Sequence, residues 1–282
     1  MQPFTLAPAS QAAALGVLVQ SASSCAAQLL TIRAWAARHG IEVVDLGTSA
    51  EPNGVDAGCQ LVIALGGDGT ILRALQLAMA QHAAVLGVNF GHVGFLADIA
   101  GDDLAEALER LAGGQALLDE RTALVAEIGA ELGAGPARRF IAFNDVVVAR
   151  LPGFGLARLR VVVAGESLLV LQGDGIVIAS PTGSTAYTVG AGGPAVAPSL
   201  DAIVITPLAS QGTPLRSLVV DGSEVVRVEL EAGSAPLSIE IDGRETHAMP
   251  APAPLEIRAA ARKARLVRTR PRTFYRDLAT RL

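Results

Sequence analysis

The sequence contains few cysteines and histidines. Its 282 residues include two cysteines, Cys25 and Cys59, and four histidines, and these do not form a closely spaced cluster. A disulfide framework needs several paired cysteines, and a structural zinc site needs Cys and His ligands at short spacings. The sequence therefore predicts neither, and the fold must be held together by buried apolar side chains.

Long hydrophobic runs are also absent. Hydrophobic residues make up 51% of the chain, but glycine, proline or charged residues interrupt them well before the roughly 18 residues that a membrane-spanning helix needs. The N-terminus has no basic region leading into an apolar one, which a secretion signal would have. We therefore expect a cytoplasmic protein with no membrane partner.

An excess of positive charge is missing as well. The chain has 22 Lys and Arg against 27 Asp and Glu, and its net charge is −5. Binding to a nucleic-acid backbone depends on a basic surface, so we expect no nucleic-acid partner. The length and the apolar content are sufficient for two hydrophobic cores, and we expect two domains.

The first part of the chain alternates between strand-like and helical patterns. This alternation predicts a parallel α/β sheet with a ligand site at the carboxyl ends of its strands. The predicted strands are residues 15–19, 41–46, 61–65 and 83–88, and the predicted helices include residues 71–80 and 102–111.

From about residue 116 the pattern changes to successive strands. Residues 226–231 and 237–242 alternate between apolar and polar side chains, which is typical of half-buried strands. The other strand-like segments include residues 116–128, 140–150, 156–163, 167–171 and 176–180. We therefore predict an α/β domain at 1–119 and a mainly antiparallel β domain at 120–263, with residues 264–282 packing back on the first domain.

The motif Gly-Gly-Asp-Gly-Thr at 66–70 is the strongest chemical signal. It follows the apolar strand 61–65 and opens the helical pattern that begins at Ile71. Backbone N–H groups at such a turn can hold phosphate oxygens. A carboxylate such as Asp68 is repelled by phosphate unless it holds a metal ion or accepts a proton from an attacking hydroxyl. The motif therefore indicates phosphoryl chemistry, and the alternative is a tight turn with a capping Asp.

Three further segments are less specific by themselves. Asn144-Asp145 interrupts apolar residues, and it is either a turn or a pair of groups that recognise ribose or amide. Residues 173–187 place a carboxylate, small hydroxyl residues and Tyr187 in one loop, which fits either a ligand pocket or a Ser/Thr turn. Asp242-Gly243 alone indicates a hairpin turn. His92, in a glycine-bearing loop, is either a base or phosphate ligand, or else a solvated or capping side chain.

Together these segments resemble the NAD kinase family, which phosphorylates the adenosine ribose 2′-hydroxyl of NAD to make NADP. The resemblance covers most of the chain, and its most specific part is the run 181–187. It implies an α/β domain followed by a β domain, and a homodimer or homotetramer. The matching segments are residues 66–70, 89–98, 144–145, 174–187 and 192–194.

The resemblance also implies roles for individual residues. Asp68 would be the base that deprotonates the 2′-hydroxyl. ATP or inorganic polyphosphate would be the donor, with Mg²⁺ or another divalent metal as cofactor and no assigned protein ligand for it. The implied phosphate- or ATP-binding residues are Gly66, Gly67, Gly69, Thr70 and Arg73. The implied NAD-binding residues are Gly69, Phe95, Asn144, Asp145, Asp174, Thr182, Thr185, Ala186, Tyr187 and Asp242.

The sequence departs from the family pattern at Gln211, where many members have a histidine. Glutamine cannot supply the charge or the proton transfer of that histidine. Two alternatives accompany the NAD kinase interpretation, and only the second of them rests on Gln211. One is a lipid or sphingoid-base kinase, because such kinases share the glycine motif at 66–70, and the other is an NAD-sensing protein without catalysis.

Overall fold

Two compact units make up the chain. The computed structural model describes residues 1–6, 14–53, 59–90, 94–129, 138–212, 215–249, 254–270 and 274–281. The first unit comprises Met1–Arg121 with Ala264–Leu282, and the second comprises Thr122–Lys263. The expected domain boundary at 119/120 lies inside a strand of the first unit, Ala116–Arg121.

The described part of the chain contains both helices and strands, with two short 3-10 turns at Gly101–Asp103 and Gly183–Thr185. In chain order the elements are β1 (Gln2–Phe4), β2 (Ala14–Val19), α1 (Ala26–His39), β3 (Glu42–Thr48), β4 (Cys59–Leu65), α2 (Asp68–Gln81), β5 (Ala84–Asn89), β6 (Ile99–Ala100), α3 (Leu104–Ala112), β7 (Ala116–Arg121), β8 (Leu124–Ile128), β9 (Arg138–Ala142), β10 (Asp145–Arg150), β11 (Ala157–Val163), β12 (Glu166–Gly173), β13 (Gly175–Ala179), α4 (Tyr187–Gly190), β14 (Ala202–Leu208), β15 (Leu218–Asp221), β16 (Val226–Leu230), β17 (Leu237–Ile241), β18 (Glu245–Ala248), β19 (Leu255–Ala259), β20 (Ala264–Arg268) and α5 (Phe274–Arg281).

The first unit is a layered α/β structure. Its described strands form a sheet in the order β1-β7-β20-β5-β4-β2-β3, with β6 beside β5. The pairs from β3 to β20 are parallel, whereas β7 and β1 run antiparallel to their neighbours. Strand β4 is apolar on both faces because α1 and α3 pack with one face of the sheet and α2 lies against β4 and β5. The predicted parallel α/β fold is confirmed.

The helix that follows the glycine motif begins earlier than expected. The sequence predicts a helix over 71–80, but α2 starts at Asp68 and ends at Gln81. The carbonyl of Gly67 accepts hydrogen bonds from the amides of Thr70 and Ile71, at 2.8 and 3.2 Å. The apolar periodicity starts one turn later than the helical hydrogen bonds, so the sequence pattern did not predict the first turn of α2. Asp68 is therefore the first helical residue.

The second unit is a pair of antiparallel β-sheets, as predicted. In its described residues, one sheet has the order β15-β14-β13-β10-β17-β18 and the other has the order β12-β11-β16-β19-β8-β9. Alternate residues of both sheets form a shared apolar core that includes Leu124, Val146, Leu159, Ile178 and Ile239. No helix in the described ranges is long and apolar enough to span a membrane.

Two long predicted strands are each interrupted. The segment 116–128 divides into β7 and β8, and the segment 140–150 divides into β9 and β10. The second interruption falls at Phe143-Asn144, where the backbone bonds to side chains from other parts of the chain rather than to a neighbouring strand. The pattern of apolar residues could not predict the break between β9 and β10, because Phe143 is buried like the strand residues beside it.

Candidate active site

The carboxylate of Asp68 is held by backbone amides of a distant loop. The N–H of Phe95 donates to Oδ2 at 2.9 Å, and the N–H of Leu96 donates to Oδ1 at 3.3 Å. Each carboxylate oxygen has a second lone pair that these bonds do not use. Asp68 is therefore fixed in orientation and can still accept a proton or a further hydrogen bond.

Gly94 allows the carboxylate to approach this loop. A Cβ atom on Gly94 would lie 1.9 Å from Oδ1 and 2.2 Å from Oδ2 of Asp68, which is far inside van der Waals contact. Any side chain at position 94 would therefore displace the carboxylate from the two amides. The sequence did not reveal this requirement, because it joins residues from separate parts of the chain.

The candidate phosphate-binding residues surround the start of α2. The amide of Gly66 donates to the carbonyl of Val88 at 2.8 Å, which ties the turn to β5. A Cβ atom on Gly67 would meet no atom within 4 Å, so the space above this residue is open. Gly69 lies in the first helical turn and is partly exposed, whereas Thr70 is buried. Arg73 donates to Oε1 of Gln76 on the same helix, at 2.8 Å.

A second group of candidate residues lies in the second unit, at the turn that contains Asn144 and Asp145. The carboxylate of Asp242 accepts hydrogen bonds from the amides of Phe143 at 3.0 Å, Asn144 at 2.7 Å and Asp145 at 3.2 Å. Asp242 is only 8% exposed. Asp242-Gly243 does form the hairpin turn between β17 and β18, as its sequence indicates, and the carboxylate also organises a second turn.

The loop between β13 and α4 closes on the same turn. The hydroxyl of Ser180 donates to the carbonyl of Phe143 at 2.5 Å, and its amide donates to the carbonyl of Asn144 at 2.9 Å. Gly183 is essential to this contact, because a Cβ atom there would lie 2.0 Å from the carbonyl oxygen of Asn144. Sequence reasoning did not assign a role to Ser180 or Gly183, although both belong to the segment that it singled out.

The other predicted residues of this loop differ in exposure. Thr182 is 7% exposed, and its Oγ1 has no hydrogen-bond partner among the described residues. The Oγ1 of Thr185 donates to the carbonyl of Thr182 at 3.2 Å. Ala186 and Tyr187 are exposed. The loop therefore presents one unused buried hydroxyl and an exposed aromatic ring.

Asp174 and Tyr187 line a common cavity of about 580 Å³. Arg150 also lines it, and its Nε donates to Oδ1 of Asp174 at 2.6 Å. This ion pair is partly exposed, which leaves both groups accessible to a polar ligand. The arginine is a residue that the sequence analysis did not identify.

Burial raises the pKa of two carboxyl groups in the second unit. Burial, followed by the nearby carboxylate of Asp242, raises the pKa of Asp145 to about 7, although the backbone amide of Tyr187 opposes the shift. Burial also raises the pKa of Asp242, against the effect of the amides of Phe143, Asn144 and Asp145. The turn therefore contains a carboxyl group that titrates near neutral pH.

The candidate residues fall into two groups. Asp68 and Phe95 meet in the first unit, and Asn144, Asp145, Thr182, Tyr187 and Asp242 cluster in the second. His92 lies outside the described residues. Gln211 is exposed, and its backbone N–H donates to the backbone carbonyl of Gln172 at 2.8 Å.

Solved structures share this fold. Yeast NADH kinase complexed with NADH superposes with a TM-score of 0.80 at 20% identity, covering 95% of this chain and 86% of that chain. An NAD kinase from Archaeoglobus fulgidus in complex with ATP gives 0.72 at 19% identity, covering 95% of this chain and 97% of that chain. These two likenesses establish the fold of the chain.

Sequence comparison identifies the family. The ATP-NAD kinase N-terminal domain matches residues 19–116, and the ATP-NAD kinase C-terminal domain matches residues 143–269. An NAD kinase from Heliobacterium modesticaldum is 35% identical over 222 residues, which are 79% of this chain and 78% of that protein. The chain belongs to the ATP-NAD kinase family, and the resemblance found in its motifs is confirmed.

The titration of Asp145 predicts how stability depends on pH. The folded protein keeps this proton up to about pH 7, whereas an unperturbed Asp releases it near 3.8. Between these values the folded state binds more protons, so the free energy of unfolding falls as the pH rises, by up to about 1.4 kcal/mol per pH unit. Asp145→Asn should flatten this part of the curve and raise stability above pH 7 relative to wild type, as measured by urea unfolding. Equal slopes for both proteins would contradict the assignment.

Gly94→Ala should displace Asp68 without unfolding the protein, because the carboxylate can rotate away from the new methyl group. We expect kcat for NADP formation to fall by about 100-fold, because a misplacement of about 1 Å can have an effect of this size. The melting temperature should change little. Gly155→Ala is the control, because a Cβ atom at Gly155 meets no atom within 4 Å. A fully active Gly94→Ala enzyme would show that the contact is dispensable.

Proposed function

We propose that this protein transfers a phosphoryl group from ATP to the adenosine ribose 2′-hydroxyl of NAD, which produces NADP. The observation that carries the proposal is the carboxylate of Asp68, which two backbone amides hold at the start of α2, directly after a buried parallel strand. Membership of the ATP-NAD kinase family supports the assignment of NAD and ATP as substrates.

Asp68 acts as the base in this proposal. One of its free lone pairs accepts the proton of the 2′-hydroxyl as the oxygen attacks the terminal phosphorus of ATP. The bond from that phosphorus to the bridging oxygen breaks at the same time, and ADP leaves with its electron pair. Phosphoryl transfer places most of its demand on positioning and charge stabilisation. The amides of Phe95 and Leu96 position the carboxylate of Asp68. Phe95 also lies beside the ribose whose hydroxyl Asp68 deprotonates. Because the helix start at Gly67 is open, the amides there are available to donor phosphate oxygens, with Gly66, Gly69, Thr70 and Arg73 around them.

Asn144 and Asp145 hold the ribose on the adenine side of NAD. Asp242 contributes through the turn, because its carboxylate oxygens already accept amides of residues 143–145. Thr182, whose buried hydroxyl has no partner within the described ranges, lines the pocket for a base or amide group together with Thr185 and Ala186. The cavity at Asp174 and Tyr187 accepts the other polar end of the dinucleotide.

A divalent cation, Mg²⁺ in the simplest case, accompanies the donor. The described residues bring together no group of three His, Cys, Asp or Glu side chains that could hold a metal ion. The residues therefore suit an ion bound mainly through the donor phosphates with one or two carboxylates, which is the usual arrangement for Mg²⁺. Asp68 is the carboxylate that would face it. When bound, the ion would neutralise phosphate charge. Inorganic polyphosphate is a second donor in this proposal, because some members of the family use it.

The remaining assignments concern the setting of the enzyme. We propose a homodimer or homotetramer, as in other members of the family, and no nucleic-acid partner, in agreement with a net charge of −5. We also propose a cytoplasmic location. Its support is that Cys25 and Cys59 are both free thiols, as is usual where thiols are kept reduced.

Asp68→Asn tests the proposed function. The amide cannot act as a base, so we expect NADP formation from NAD, ATP and Mg²⁺ to fall by about 10²- to 10⁴-fold, with both substrates still bound. Asp102→Asn is the matched control, because it removes an exposed carboxylate from the same unit and should leave the rate unchanged.

Three outcomes would contradict the proposal. Near wild-type NADP formation by Asp68→Asn would remove the role of Asp68. Phosphorylation of a sphingoid base or diacylglycerol by the wild-type protein, without phosphorylation of NAD, would identify a lipid kinase. Binding of NAD without turnover, with either ATP or polyphosphate as donor, would identify a sensor.

A further inference from the structure

The loop that orients Asp68 is itself held by the last strand of the first unit. Arg268, at the end of β20, donates from Nη1 to the carbonyl of Leu96 at 2.9 Å and to the carbonyl of Ala97 at 3.3 Å. Leu96 therefore uses its N–H for Asp68 and its C=O for Arg268. The arginine and the carboxylate are connected through a single residue of the loop.

Arg268 is a buried cation whose charge is compensated on two sides. Its residue exposure is 2%. Nε lies 3.2 Å from Oδ2 of Asp119 on β7, and Nη1 lies 3.9 Å from Oδ1 of Asp98 at the end of the loop. A planar guanidinium can bond in several directions at once, whereas an ammonium group at this position is a point charge on a flexible stem. The side chain therefore fastens the loop to β7 as well as to β20.

The residue after Arg268 completes the attachment. Asp98 accepts hydrogen bonds at Oδ2 from the amide of Thr269 at 2.8 Å and from its hydroxyl at 2.6 Å. The amide of Asp98 donates to the carbonyl of Gly87 on β5 at 2.9 Å. Residues 96–98 are thus bound to β5 and to the end of β20, which are neighbours in the sheet.

We propose that Arg268 is a positioning residue for phosphoryl transfer, which fixes the loop amides that orient the carboxylate of Asp68. This inference rests on the proposed role of Asp68 as the base. Arg268 acts on the reaction through Leu96 and touches no reacting group. A loss of Arg268 would leave the carbonyls of Leu96 and Ala97 without this donor, and the two amides would be held less precisely at the carboxylate.

Arg268→Lys tests the proposal, because it keeps the positive charge and removes the branched set of donors. We expect kcat for NADP formation to fall by about 10- to 100-fold, with KM for NAD and for ATP changed by less than about 2-fold. The matched control is Asp119→Asn, which weakens the same buried ion pair from the side of β7 and leaves the loop contacts in place. It should lower the melting temperature and keep kcat within about 3-fold of wild type.

A second variant preserves the test if Arg268→Lys fails to fold. Thr269→Val removes the hydroxyl donor to Asp98 and retains both the backbone amide and Arg268. We expect a loss of kcat in the same direction, by roughly 3- to 10-fold, which corresponds to one weakened hydrogen bond to a carboxylate. A wild-type kcat in Thr269→Val would count against the premise that the attachment of residues 96–98 to the end of β20 governs kcat, and therefore against the proposal.

Combination with Asp68→Asn separates positioning from general stability. If Arg268 acts through Asp68, Arg268→Lys should cause little further loss of kcat in an Asp68→Asn background. A further loss as large as in the wild-type background would overturn the inference, and so would a folded Arg268→Lys enzyme with wild-type kcat. A fast Asp68→Asn enzyme would overturn the role of Asp68 and the inference together, whereas a slow one beside a fully active Arg268→Lys overturns the inference alone.

Discussion

Two hydrogen bonds from the amides of Phe95 and Leu96 to the carboxylate of Asp68 are the contact on which the candidate active site depends. Several features of the first unit are needed for it. Strand β4 ends in a glycine turn, α2 begins immediately after Gly67, and Gly94 has no side chain that would occupy the place of the carboxylate. A charge-assisted hydrogen bond is shorter and stronger than a neutral one. Two such bonds can therefore hold a short side chain at the start of a helix without using all of its lone pairs.

The second unit also contains hydrogen bonds from backbone amides to a carboxylate, but there the carboxylate orders the backbone. There the buried carboxylate of Asp242 accepts three successive backbone amides and thereby shapes the turn that carries Asn144 and Asp145. In the first unit a loop orients the carboxylate that we propose as the base, and in the second a carboxylate orients the turn that we propose as a binding loop. The second arrangement also brings two carboxyl groups close together in a buried place, which raises the pKa of Asp145. The buried contacts that order this turn therefore also disfavour the charged form of Asp145.

The sequence predicted the parts of the protein that depend on local pattern. The parallel strands of the first unit, the antiparallel sheets of the second and the glycine motif at Asp68 all have short-range signatures, and the fold and family predictions from them are confirmed. Contacts between distant residues had no such signature. The need for Gly94, the bonds from Asp242 to the turn at Asn144 and the attachment of the loop by Arg268 join residues far apart in the chain, and one sequence does not show which ones meet. The start of α2 was placed too late because its first turn lacks apolar residues, although the hydrogen-bond ladder is already formed there.

The most direct measurement of the central contact is amide hydrogen exchange at Phe95 and Leu96, recorded by NMR for the wild-type protein and for Asp68→Ala. A hydrogen bond to a charged group contributes about 1.5–3 kcal/mol, so its loss should speed exchange at these two amides by roughly 10- to 100-fold. Amides of the second unit should exchange at unchanged rates. Equal exchange at Phe95 and Leu96 in both proteins would contradict the claim that this loop holds the carboxylate of Asp68.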